Sequence, residues 1–276
     1  MARRLDLELV ERGLARSRTH AQELVRDGSV RVGEDVATKP AQSVEEGTTI
    51  SVTTTGPTWV GRGAEKMVGA LAAFGPQGLS AAGKLCLDVG ASTGGFTQVL
   101  LAHGAEHVIA LDVGHDQLDP VLATDPRVTD LPGTNIRDVT PETIGGPVDL
   151  IVSDLSFISL RLVIPVLATL IRPRGDLVLL VKPQFEVGRE RLGRNGIVRD
   201  DAARRSALLT VARCAIDAGL AIRGVVPSPI RGGTGNVEYL LWMSESNEPG
   251  LTWQSLTSTV DALAVTDHDP EGGATA

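Results

Sequence analysis

Apolar and polar positions change rhythm twice along these 276 residues. In the first fifty, short apolar sets recur at helical spacing. Leu7, Val10 and Leu14 form one set; Ala21, Leu24 and Val25 form another that stops at Gly28, a residue suited to a helix C-terminus. Val30 and Val32 then alternate with polar neighbours before the turn Gly33-Glu34-Asp35, and Thr49–Val52 can return as a partner strand. This pattern predicts a small α+β domain over residues 1–54. Residues 55–62, with the breaker Gly56-Pro57 and the anchor Trp59, read as a linker.

From Gly63 the rhythm changes. A helix is predicted from Gly63 to Phe74, and apolar runs of strand length then alternate with helical stretches. Strands are expected at 85–89, 107–112, 127–131, 148–154, 176–182, 221–226 and 237–243, with helices notably at 96–103, 158–171 and 201–219. Alternation of this kind predicts an α/β domain over 63–243, a mostly parallel seven-stranded sheet with helices on both faces and an antiparallel edge. From Ser244 the chain is acidic and rich in Thr, Ser and Gly, so disorder is expected over 244–276.

The net charge of −8 alters this picture less than its size suggests. Glu245, Glu248, Asp261, Asp267, Asp269 and Glu271 supply most of it, and the rest of the chain is close to neutral. A polyanionic partner is therefore not excluded, and basic clusters occur at Arg3-Arg4, at Arg12, Arg16 and Arg18, and at Arg189, Arg191, Arg194 and Arg199. No apolar run approaches the ~18 residues of a membrane span. The charged start MARRLDLELVERG does not read as a signal peptide. Cys86 and Cys214 lie far apart in apolar settings, which argues against a disulfide or a metal site. A cytoplasmic protein without membrane or metal is expected.

The stretch DVGASTGGFT, residues 88–97, joins a strand to a helix N-terminus, the arrangement of a nucleotide-like site. Gly90, Gly94 and Gly95 do not make the G-x-G-x-x-G of a dinucleotide site, and Phe96 stands where a phosphate-binding loop needs Lys. S-adenosylmethionine suits the loop better, because it needs close backbone approach and an acid for its ammonium rather than a pyrophosphate cradle. Asp88, Gly90, Ser92, Gly94, Gly95 and Phe96 are the expected contacts. Asp112, ending the second strand, is placed for the ribose hydroxyls, and Asn135 and Ile136 for the adenine. Asp154 and Lys182 stand at the carboxyl ends of later strands, where open α/β sheets bind ligands. Lys66 lies on the helix before the first strand, and Glu238 within an apolar strand.

Lys66, Asp154, Lys182 and Glu238 resemble, in order and context, the K-D-K-E tetrad of FtsJ-like 2′-O-ribose methyltransferases. Residues 4–36 resemble the S4 RNA-binding module, with Arg3, Arg4, Arg16 and Arg18 as expected RNA contacts. The combination is similar to the TlyA family of rRNA (cytidine-2′-O)-methyltransferases, whose members also carry the label hemolysin. The resemblance implies a Rossmann-like class I fold, S-adenosylmethionine as cofactor, and cytidines of 16S and 23S rRNA in ribosomal subunits as substrate. A ribose 2′-hydroxyl is a poor nucleophile, so Lys182 is expected as base or proton acceptor, with Asp154 and Lys66 as its orienting partners, Asp154 beside the cofactor, and Glu238 as positioner. Two departures stand out: Pro57 replaces the Arg of the family's linker motif R-x-W-V, and Gly61 and Ala64 stand where Ser and Gly are common. The rival readings are a base N-methyltransferase, in which Phe157 of Asp154-Leu155-Ser156-Phe157 would stack on a flipped base, and a non-catalytic RNA-binding or ribosome-assembly factor. A membrane-active hemolysin fits least.

Overall fold

The structure, a computed structural model, describes residues 2–15, 18–26, 28–53, 58–188, 190, 192–246 and 248–266. It divides into two compact units between Thr58 and Trp59.

The N-terminal unit runs β1 (Arg3–Arg4), α1 (Leu5–Glu11), α2 (Arg18–Arg26), β2 (Val30–Val32), β3 (Asp35–Val36), β4 (Ser43–Val44) and β5 (Ile50–Val52). Strands β3, β2 and β5 form an antiparallel sheet, and β1 pairs with β4. The expected helical face of α1 is rotated. Leu5 and Leu9 are buried, whereas Leu7 is exposed, because α1 starts directly after β1 and turns Asp6 inward with Leu5. Ala21, Leu24 and Val25 of α2 close the core against Val30, Val44 and Ile50.

The C-terminal unit begins with α3 (Gly63–Phe74) and continues β6 (Leu85–Val89), α4 (Gly95–Ala102), β7 (His107–Leu111), α5 (Pro120–Ala123), β8 (Val128–Leu131), β9 (Val148–Ser153), α6 (Ile164–Leu170), β10 (Ile171–Val181), α7 (Pro183–Glu186), α8 (Asp201–Asp217), β11 (Ala221–Pro227), β12 (Tyr239–Ser244) and α9 (Trp253–Thr266). The sheet order is β11-β12-β10-β9-β6-β7-β8, parallel except for β12. The antiparallel strand is thus inserted between β10 and β11 and is not the edge itself. Period-two alternation divides each central strand between two cores. Leu177, Leu179, Tyr239 and Leu241 face one layer, while Val178, Leu180, Leu240 and Trp242 face the other, under α3 and α4. Each such buried aliphatic side chain stabilises the fold by about 1.5–3 kcal/mol.

Two further elements differ from the sequence pattern. The helix expected at 158–171 is confined to α6, because Ser159 caps a short 3-10 turn at Leu160–Leu162 and Pro165 sits at the helix start. Strand β10 begins five residues early and absorbs an irregularity between Ile171 and Asp176. The acidic segment after Ser244 is corrected more strongly: Trp253–Thr266 form α9 instead of disordered chain. Leu256 and Val260, one helical turn apart, bury against α8 and β11, and the Arg213 guanidinium lies 3.9 Å from the Trp253 ring centroid. Residues 267–276 lie outside the described part.

The order reverses at β6, which pairs with β7 on one side and β9 on the other. The carboxyl ends of β6 and β9 therefore flank a crevice, the usual ligand position in such a sheet.

Candidate active site

Asp88, near the end of β6, is fully buried. Its Oδ2 accepts hydrogen bonds from the Thr97 backbone N–H (2.9 Å) and hydroxyl (2.7 Å) at the start of α4. Its Oδ1 has no protein partner, although the residue lines the cavity at the crevice. Burial, only partly offset by Thr97, pushes the carboxyl up to about 7. A buried acceptor oxygen in this position requires a donor, and a ligand ammonium would supply one.

The cavity, of about 310 Å³, is walled by Gly61–Gly63, Gly90–Thr93, Gly95, Phe96, Asp154, Ser156 and Lys182. Glycine is required at several of these points. Gly90 has φ +84°, and a Cβ there would stand 3.1 Å from the Asp154 carbonyl oxygen. A Cβ on Gly95 would lie 2.8 Å from the Ala64 backbone nitrogen, so the glycine lets α4 approach α3 closely. Gly94 serves the turn rather than the cavity: it has φ +93° and abuts Leu118 and Leu122. Phe96 is buried against Gly63.

A second, smaller cavity shares Ala91 and Ser92 with the lining of the first and is also lined by Asp112, Gly114, Gln117, Leu118, Asp130 and Pro132. Asp112 accepts from the backbone N–H groups of Ser92 and Gly114, both at 2.8 Å. Asn135 and Ile136 are not among the residues lining either cavity. The Asn135 side chain caps a 3-10 turn through the Arg137 N–H, and Ile136 is buried in the core.

Across the crevice the structure brings Lys66, Asp154, Lys182 and Glu238 into one chain of contacts. Lys66 Nζ lies 3.0 Å from Asp154 Oδ2 and 2.9 Å from Glu238 Oε2. Lys182 Nζ lies 2.6 Å from Asp154 Oδ1 and donates to the Ser156 hydroxyl at 2.9 Å. Burial works against the charge on Lys66, but Asp154 and Glu238 outweigh it and hold the ammonium above its ordinary range. Burial likewise opposes ionisation of Asp154, and Lys182 with Lys66 overcomes it, keeping this carboxyl below its usual range. Four groups with balanced charges offset one another in a mostly enclosed place, as buried charges must, with Asp154 Oδ1 and Glu238 Oε2 held by ion pairs and not by hydrogen bonds.

Ser156 was not singled out by sequence reasoning, although its position two residues past a strand-end Asp is a usable signal. Gln184 was also missed; its amide reaches Glu238 Oε1 at 3.5 Å. Phe157 carries φ +65°, is 92% exposed, and has its ring centroid 5.2 Å from that of Phe185. A bulky residue in that backbone region is strained.

In the N-terminal unit, Arg4 and Arg18 share the buried Asp6 carboxylate. Arg4 is bidentate at 3.0 and 2.8 Å, and Arg18 Nε donates to Oδ2 at 3.0 Å. The Arg4 hydrogen bond, against the cost of burial and with help from Gln22 and Arg18, holds Asp6 well below the usual carboxylate range. Both guanidinium groups remain half-exposed, and Arg3 pairs with Glu11. Arg16, Pro57, Arg189 and Arg191 lie outside the described residues. Among the described residues no helix is long and apolar enough to cross a membrane.

Residues 59–245 match the FtsJ-like methyltransferase family, and residues 3–50 match the S4 domain. The chain is 51% identical over 263 residues to the 16S/23S rRNA (cytidine-2′-O)-methyltransferase TlyA of Mycobacterium tuberculosis, covering 94% of this chain and 97% of that one. It is 39% identical to Hemolysin A of Brachyspira hyodysenteriae, over 86% of this chain and 98% of that one. A solved hemolysin-named structure from Streptococcus thermophilus superposes with a TM-score of 0.76 at 36% identity, covering 97% and 96% of the two chains.

Proposed function

The chain belongs to the FtsJ-like methyltransferase family, in its TlyA branch, and on that premise we propose that its site methylates the 2′-hydroxyl of cytidine in 16S and 23S rRNA, with S-adenosylmethionine as donor. The observation that carries the reading is Lys182, which lines the cavity with its amine held between Asp154 and Ser156.

The bound cofactor supplies an already activated methyl group. The residues of this chain have to hold it, align the hydroxyl with it and take away a proton. Asp88 Oδ1, unpartnered beside the glycine loop, receives the ammonium of the amino-acid end, and Asp112 receives the ribose. Lys66 stays charged between two carboxylates and does not line the cavity, so it serves as a fixed cation that orients Asp154 and Glu238. Lys182 faces the cavity and is the acceptor of the 2′-hydroxyl proton. Asp154 and Ser156 fix the position of its amine, which holds the hydroxyl for attack in line with the methyl group. Glu238 positions the ribose, with Gln184 against it.

The rRNA is recruited by the N-terminal unit, where Arg4 and Arg18 are braced by Asp6 and keep donors free for phosphates. Arg3, which lines the same surface groove as Arg4 and Arg18, extends this basic edge. An enzyme acting on ribosomal subunits works in the cytoplasm.

The test is transfer of labelled methyl from S-adenosylmethionine to ribosomal subunits that lack the modification, followed by nucleoside analysis. Label in 2′-O-methylcytidine, lost in Lys182→Ala, supports the assignment. Label in a base-methylated nucleoside overturns it in favour of base chemistry.

A further inference from the structure

Glu186 is a buried carboxylate that the chemistry above does not use. It ends α7, four residues after Lys182, and its side chain is 2% exposed. Across a gap in the sequence, the Ser159 hydroxyl donates to Oε2 at 2.6 Å and the Leu160 backbone N–H donates to Oε1 at 2.8 Å. The Arg161 guanidinium stands 3.8 Å away. Leu160 is itself buried, so no water replaces the carboxylate on its N–H.

The two segments joined here are the ones that carry the site. Residues 154–160 hold Asp154, Ser156 and Phe157; residues 182–186 hold Lys182, Gln184 and Phe185. They meet at three levels. Lys182 binds Asp154 and Ser156 at the cavity, Phe157 packs on Phe185 at the surface, and Glu186 binds Ser159 and Leu160 at the far end. Phe157 has a strained backbone and is 92% exposed. Such a conformation persists only where its surroundings over-determine it. Its own ring buries too little to do that, and the Ser159–Glu186 bond is a fixed contact two residues later.

We infer that Glu186 is a positioning residue that locks the Phe157 turn onto Lys182–Phe185 and so sets the ledge against which the target nucleoside is presented. The inference rests on the methyltransferase reading for its functional half and on the Glu186 contacts alone for its structural half.

The chain contains four phenylalanines, Phe74, Phe96, Phe157 and Phe185, so labelling the full-length protein with fluorophenylalanine gives a spectrum that reads the ledge directly. Glu186→Ala is expected to shift or broaden the fluorine signals of Phe157 and Phe185 and leave those of Phe74 and Phe96 in place. It should also lower kcat/KM about tenfold, through KM for rRNA, at unchanged cofactor affinity. Glu186→Gln should restore both, because its carbonyl accepts from Leu160 and its amide donates to Ser159. Should the alanine variant fold poorly, Ser159→Ala removes one of the two bonds and is expected to give the same changes at smaller size. Unmoved Phe157 and Phe185 signals overturn the inference, as does movement of all four, which marks a general packing role. A moved ledge with unchanged KM overturns the functional half. A wild-type protein inactive on rRNA with a spectrum that responds as expected sinks the methyltransferase reading and not the positioning of the turn.

Discussion

Asp154 serves two lysines with one carboxylate: Lys182 lies 2.6 Å from Oδ1 and Lys66 lies 3.0 Å from Oδ2. The two amines nevertheless have different surroundings. Lys66 has a second carboxylate, Glu238, at 2.9 Å, whereas among the described residues Lys182 has the Ser156 hydroxyl beside the open cavity. Removing each should therefore fail differently.

Lys182→Ala should lower methyl transfer about 10²–10⁴-fold while cofactor affinity, measured by calorimetry, stays near wild type. Lys66→Ala leaves buried Glu238 without its cation and Asp154 with Lys182 alone. It should lose activity and also about 3 kcal/mol of stability by denaturant unfolding. Equal stability in the two variants would contradict the division of roles.

Asp88 should make cofactor binding pH-dependent. Its carboxyl is pushed up to about 7 by burial, against about 4 in an unfolded chain. A raised carboxyl binds its proton more tightly when folded, so its contribution to the stability of the ligand-free protein is lost as pH climbs from about 4 to 7. The ligand ammonium needs the ionised form. Affinity for S-adenosylmethionine should rise about tenfold per pH unit below 7 and level off above it, with proton release on binding. Calorimetry in buffers of different ionisation heat checks this. In Asp88→Asn the pH dependence should vanish and the affinity fall.

Gly95→Ala tests the approach of α3 to α4. The added Cβ meets the Ala64 backbone nitrogen at 2.8 Å, and backbone cannot swing aside as a side chain can. A cost of about 1–3 kcal/mol is expected in thermal or denaturant unfolding. Activity should fall too, since Lys66 rides on α3.

Arg18→Ala should weaken rRNA binding, reduce the slope of log affinity against log salt by about one, and spare cofactor binding. Asp6→Asn is expected to destabilise the N-terminal unit, because three donors converge on that buried carboxylate. The depressed Asp6 carboxyl contributes stability at neutral pH that is lost only as pH falls through its folded range, so in the wild type acid unfolding of this unit should come late.

Local chemistry left clear traces in the sequence. Strand-length apolar runs, the glycine loop at 90–95 and charged residues closing strands determine the seven strands and place Asp88, Asp112, Asp154 and Lys182 at the ends where ligands bind, because these are short-range preferences of backbone and side chain. Long-range relations left none. That β12 inserts between β10 and β11, that α9 forms where the composition reads as tail, and that Leu5 rather than Leu7 faces the core were decided by packing against elements distant in sequence. So was the bond from Glu186 to Ser159, which spans 27 residues. Hydrogen-bond partners and burial depend on which surfaces meet after folding, and only the tertiary structure settles that.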